Sequence, residues 1–164
     1  MTISLPPETS SPPRLQPSGW LRYFSFSVDH KVIGLQYLVC GFVFYLIGGA
    51  LAGAIRTELT SPVSDFMARD VYNQVLTLHG TVMIFLWIVP VVNGAFGNYL
   101  IPFYVGARDM AFPRLNAVAF WLIPPAGLML ITSYFLTGAA QSGWTAYPPL
   151  SITTPATGQI IWIL

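Results

Sequence analysis

The run VLTLHGTVMIFLWIVP, Val75 to Pro90, sets one imidazole, His79, among leucines, valines and aromatics with no formal charge nearby. A protonated ring is expensive to desolvate, and even a neutral one needs a partner for its polar nitrogens. The apolar stretch extends from Val71 to Gly106 and exceeds the ~20 residues that a helix needs to cross a hydrocarbon core. Val32 to Ile55, free of formal charge, and Leu115 to about Gly138 satisfy the same criterion. Only helices and closed barrels satisfy their backbone groups in lipid, and runs of this length read as helices.

Composition agrees. Of 164 residues, 8% are charged and 54% hydrophobic, well outside the usual range for a soluble domain. The expected fold class is an all-α membrane protein with helices over about 32–56, 72–103 and 115–138 and the start of a fourth at Gln159. The chain stops at IIWIL, six residues into that fourth run, and so reads as a fragment or a truncated open reading frame. Residues 1–19 hold five prolines among Ser and Thr, lack the order of a cleaved signal peptide, and are expected to form a disordered cytoplasmic tail. Residues 20–31, with WLRYFSF at Trp20 to Phe26, read as an interfacial segment at lipid-headgroup depth, and 32–164 as the membrane region.

The formal net charge is +1 and the basic residues are scattered, so no nucleic-acid footprint is present. The single cysteine, Cys40, rules out an intrachain disulfide and any Cys-based zinc or iron-sulfur motif, and reads as a small packing residue. Arg14, Arg22, Lys31, Arg108 and Arg114 flank one side of the predicted spans, against Arg56 and Arg69 on the other. That asymmetry places the N-terminus inside. His79 then lies near the outer surface, and Asn98 lies roughly 28 Å deeper along the same helix.

Several residues could carry chemistry. His79 serves either as a metal ligand or as a neutral ring bonded to a carbonyl or hydroxyl across a helix pair, and periodicity leaves both open. Arg56, at the outer end of the first span, is either an arginine reaching into headgroups or a fixed positive charge beside a cofactor. On the inner side, Asn98 precedes the loop GARDMAFPRLN (Gly106 to Asn116), where Asp109 stands between two arginines. A carboxylate there can collect protons or simply pair within its loop, and amides such as Asn98 and Asn116 can line a wet path without trapping charge. His30 is read as a surface residue with a structural role. Gly48, Gly49, Ala52 and Gly53 give two small-xxx-small pairs, suited to close helix packing or to a flat cofactor. Pro90, Pro102, Pro124 and Pro125 imply kinks or helix ends. GWTAYPPL (Gly143 to Leu150) reads as a rigid outer loop, with Trp144 as an interface anchor more than an electron conduit.

Taken together, LHGTVMIFLWIVP, FGNYLIPFYVGARDMAFPRLN, FWLIPP and GWTAYPPLS, in this order and spacing, resemble the N-terminal third of subunit I of the haem-copper oxidases, particularly the cytochrome c oxidase branch. The likeness covers about Asp29 to Leu164. It implies a twelve-helix bundle that reduces O2 to water while pumping protons. By motif, His79 matches an axial ligand of the low-spin haem, haem a, and Arg56 matches the arginine bonded to its formyl group. Asp109 matches the entrance carboxylate of a proton channel, with Asn98 and Asn116 as its lining. Glu58 matches a ligand of the outer calcium or sodium site found in some members.

The resemblance also implies a high-spin haem and copper bound elsewhere in the subunit, a copper-bearing subunit II, subunit III, and cytochrome c as donor. It implies a multi-pass protein of a bacterial cell membrane, with thylakoid and mitochondrial inner membranes as alternatives. GARD stands where many members have GAPD, and quinol-oxidising relatives share it. The quinol branch carries an arginine and an aspartate on helix 1, whereas Tyr45 to Ile55 has no charge, which favours cytochrome c. A truncated, non-catalytic membrane paralogue is the remaining alternative, and the chain alone is not expected to be active.

Overall fold

Asp29 starts the first long helix: its side chain accepts the backbone N–H of Lys31 at 2.9 Å, satisfying a donor that has no partner within the helix. The structure is a computed structural model and describes residues 19–63, 66–136 and 138–153. The Pro-rich stretch before residue 19 and the expected fourth helix at Gln159 lie outside the described residues. A short 3-10 turn, Gly19–Phe24, leads into α1 (His30–Glu58). Two further long helices follow, α2 (Arg69–Val105) and α3 (Pro113–Leu136), then a single turn, α4 (Leu150–Thr153). No strand occurs among the described residues. With 29, 37 and 24 residues, α1 to α3 are each long and apolar enough to cross a membrane, so the chain is an all-helical membrane protein.

α2 is not wound uniformly. It is α-helical over Arg69–Thr81, π-helical over Val82–Ile88 and Pro90–Phe96, and α-helical again over Gly97–Val105. The N–H of Val89 reaches the carbonyl of Ile84, and that of Gly97 reaches Val92, five residues back in each case. Pro90 opens the second segment. It has no N–H to offer Leu86, and its ring would crowd that carbonyl in a tight turn. Wider winding relieves both problems without ending the helix.

α2 stops at Gly106, whose φ of 69° suits a residue without Cβ. There the N–H of Ala107 bonds the Pro102 carbonyl at 2.9 Å. Pro102, Pro124 and Pro125 all sit inside their helices, so none of the three ends one.

One stripe of α1 organises the packing. His30, Ile33, Gly34, Tyr37, Gly41, Phe44 and Gly48 are all buried and recur every three or four residues, the helical period of a single face. Rings from α1 fill gaps left by glycines on its neighbours: Tyr37 occupies the space a Cβ on Gly94 of α2 would take, and Phe44 does the same at Gly127 of α3. Conversely, Gly41 accommodates Val91, and Gly48 accommodates the Met83 thioether. Tyr37 also meets Phe120 edge-on at 5.1 Å. Cys40, half-buried, borders both the Ile33–Tyr37–Ala95–Phe120 cluster and the Phe44–Leu78–Val82–Leu86 cluster. In lipid such interlocking is the main force holding helices together, because tails are as apolar as leucine.

The two small-residue pairs of α1 part company here. Gly48 is consumed by packing against α2, whereas a Cβ added at Gly49 or Gly53 would meet nothing within 4 Å.

Candidate functional site

His79 lies in the last turn of the first α-helical part of α2, half-buried, with Nδ1 2.9 Å from the carbonyl oxygen of Gly48 on α1. A carbonyl can only accept, so Nδ1 carries the proton. In a neutral ring the lone pair then resides on Nε2. The carbonyl partner that the sequence left open is therefore present, and it leaves the ring in the tautomer a metal would need.

A seated loop flanks this end of α2. Gln74 accepts the N–H of Ala139 at 3.0 Å, and Thr77, fully buried, accepts the N–H of Gly143 at 2.9 Å while donating to the Asn73 carbonyl at 2.6 Å. Trp144 follows directly and packs on Gly80, where an added Cβ would lie 3.0 Å from the indole Cδ1. It also meets Phe85 edge-on at 6.1 Å. The turn of α2 bearing His79 is thus bracketed by α1 on one side and the 138–149 loop on another.

Arg56 is exposed in the last turn of α1. Glu58 accepts the backbone N–H of Met67 at 3.0 Å and so closes the connection into α2. Among the described residues, no three His, Cys, Asp or Glu side chains gather so as to hold a metal ion.

At the far end of α2, Asn98 is buried and engages all three long helices. Its Nδ2 donates to the Gly94 carbonyl at 2.6 Å, its Oδ1 accepts from Asn116 Nδ2 of α3 at 2.5 Å, and its backbone carbonyl accepts from His30 Nδ1 of α1 at 2.8 Å. His30 is therefore not a surface residue. It is 6% exposed, because it begins the buried stripe of α1 and points at α2. Asp109 stands apart: exposed in the α2–α3 loop, it accepts the N–H of Met110 at 2.7 Å, and no hydrogen bond among the described residues joins it to Asn98 or Asn116.

Two separate groups result. One offers a ring nitrogen, Nε2, whose lone pair the Gly48 contact leaves available, and the other is a pair of uncharged amides bonded to each other and to a backbone carbonyl. Gln74, Thr77 and the Gly48 carbonyl escaped sequence reading because backbone acceptors and cross-loop bonds leave no local pattern. His30 did leave one, being the first member of the three-and-four stripe.

The family model for Cytochrome C and Quinol oxidase polypeptide I matches residues 32–164. Cytochrome c oxidase subunit 1 of Thermostichus vulcanus is 64% identical over 145 residues, covering 88% of this chain and 26% of that protein. Its namesake in Synechocystis sp. is 58% identical over 164 residues, covering 100% and 29% respectively. In Corynebacterium glutamicum the corresponding figures are 43%, 94% and 28%. The chain thus spans less than a third of the length of these curated relatives. By the extent of the match and by its helical architecture, it belongs to the family of cytochrome c and quinol oxidase polypeptide I.

Proposed function

We propose that this chain forms part of a terminal respiratory oxidase that reduces O2 to water with electrons from cytochrome c, coupled to proton pumping. The supporting observation is the His79 ring: its Nδ1 is committed to the Gly48 carbonyl, and Nε2 is left with its lone pair. Such a donor would hold the iron of the low-spin haem a. Gly49 and Gly53 leave room on α1 for a flat apolar group, and Arg56, one turn further along, supplies a fixed cation for a polar substituent such as a formyl. When bound, the haem supplies a one-electron iron couple. His79 orients it, and Arg56 favours its electron-rich state.

Asp109 at the exposed loop is the entrance for protons, and Asn98 and Asn116 line the route inward. As neutral amides they pass hydrogen bonds to water without capturing a charge. Glu58 is assigned to an outer calcium or sodium site, a role in which it would exchange its bond to Met67. The high-spin haem and copper are assigned to other parts of the assembly. The copper-bearing subunit II, subunit III and cytochrome c are its partners. The chain alone is inactive on this reading. Its setting is a bacterial cell membrane with the N-terminus cytoplasmic.

His79→Ala in the complete enzyme should abolish the low-spin haem a absorption. An unchanged spectrum rejects the assignment. The GARD sequence supports a second donor, a quinol, and oxygen uptake driven by reduced cytochrome c or by a quinol separates the two readings.

A further inference from the structure

Between α1 and α2, at the end that carries His30, lies a cavity of about 580 Å³ whose wall is basic at one side and apolar along the rest. Arg22 and Lys31 supply the charges, and no carboxylate lines it among the described residues. The Nε of Arg22 is buried without a hydrogen-bond partner, while its guanidinium sits 5.1 Å from the centre of the Tyr23 ring. A buried donor left unpaired is costly, and an anion in the cavity would relieve that cost. The Tyr23 carbonyl is held in turn by Gln36 of α1 at 3.0 Å, so the turn carrying Arg22 is fixed against the helix.

Away from the cations the wall becomes Leu35, Leu38, Phe96 and Leu100, all substantially exposed. Trp20 and Phe24 of the adjoining turn are exposed as well, at 70% and 65%. Aromatics and basic groups together at the end of a spanning helix are the chemistry of headgroup depth.

We propose that this cavity is a binding site for one anionic phospholipid of the adjacent leaflet. Its phosphate sits between Arg22 and Lys31, and an acyl chain lies along Leu35, Leu38, Phe96 and Leu100. Charge complementarity selects the occupant: two cations with no counter-charge in the wall favour phosphatidylglycerol over a zwitterionic lipid, and the apolar wall distinguishes a lipid from a free phosphate. The site is independent of the haem assignment, since it shares no residue with it.

The test is native mass spectrometry of the full-length membrane protein released from nanodiscs of equal parts phosphatidylglycerol and phosphatidylcholine. Retention of phosphatidylglycerol over phosphatidylcholine is expected. Arg22→Gln and Lys31→Gln should each weaken it roughly fivefold, the effect of about 1 kcal/mol per basic group near an anionic headgroup. Leu38→Trp, which fills the groove and keeps both charges, should also release the lipid, and circular dichroism should show unchanged helix in all three variants.

Equal retention of both lipids would overturn the proposal. So would wild-type retention in the two charge variants, displacement of the lipid by inorganic phosphate, or photocrosslinking from position 38 to protein instead of lipid.

Discussion

Asn116 of α3 donates its side-chain amide to the side-chain oxygen of Asn98 of α2 at 2.5 Å, and the backbone carbonyl of that same Asn98 receives His30 of α1. Three helices therefore meet at one residue. The His30 bond is buried and the Asn116 bond partly so, and losing either leaves the Asn98 side of the contact short of a partner. Asn116→Ala should cost about 1–3 kcal/mol through the orphaned Asn98 oxygen. Thermal unfolding in detergent measures it, and a variant as stable as the parent would show that water replaces the amide.

Asp109 should behave in the opposite way. It is exposed and, among the described residues, bonds within its own loop, so Asp109→Asn should change stability by less than about 0.5 kcal/mol. In the complete enzyme the same variant should slow turnover and abolish pumping while haem spectra stay intact. Normal pumped-proton stoichiometry would contradict its role as the entrance.

Gly94 and Gly127 are predicted to be intolerant of even a methyl group. Their Cβ positions are occupied by the rings of Tyr37 and Phe44, so Gly94→Ala and Gly127→Ala should each destabilise by about 1–3 kcal/mol through overpacking. Gly49→Ala and Gly53→Ala meet open space and should leave helix stability unchanged or slightly raised. If either of these latter two shifts the low-spin haem band in the assembled enzyme without moving the melting temperature, that face of α1 touches the cofactor. An unmoved band in both places the haem elsewhere.

Thr77→Val keeps shape but removes the acceptor for Gly143 and the donor to Asn73. Hydrogen exchange at the backbone amide of Gly143 should accelerate by about tenfold, the equivalent of roughly 1.4 kcal/mol of lost protection. Thr77→Ser should restore it. Exchange unaltered in Thr77→Val would mean the loop is held by Gln74 and Trp144 alone.

Glu58 offers a paired comparison. Glu58→Gln keeps an oxygen for the N–H of Met67, whereas Glu58→Ala removes it. Proteolysis in the connection between α1 and α2 should rise for the alanine variant and stay at the parental rate for the glutamine variant. Equal cleavage of all three would remove this bond from any part in closing the connection.

The helical class and the presence of three long apolar helices were legible because hydrophobic length carries that information directly. Gly48 and Gly127 show what was not legible. A glycine in an apolar run signals close approach, but which ring or thioether approaches depends on how helices lie side by side, a relation encoded in no single window. His30 was misjudged for a related reason: the charges beside it, Asp29 and Lys31, suggested water, while its spacing to Ile33, Gly34 and Tyr37 already placed it on the buried face. The Asn98–Asn116 contact joins residues 18 positions apart and follows only once Gly106 folds α3 back along α2.

The broad coils around Pro90 store more residues per ångström of axis than an ordinary helix would. A π-turn holds one residue more than the α-turn it replaces, so deleting one residue between Val82 and Phe96 lets the coil tighten to ordinary winding with the turns on either side still in register. Asn98 should then keep facing Asn116 while His79 keeps its hold on Gly48. The same deletion within Gly97–Val105 has no such slack and should swing whatever follows by about 100°.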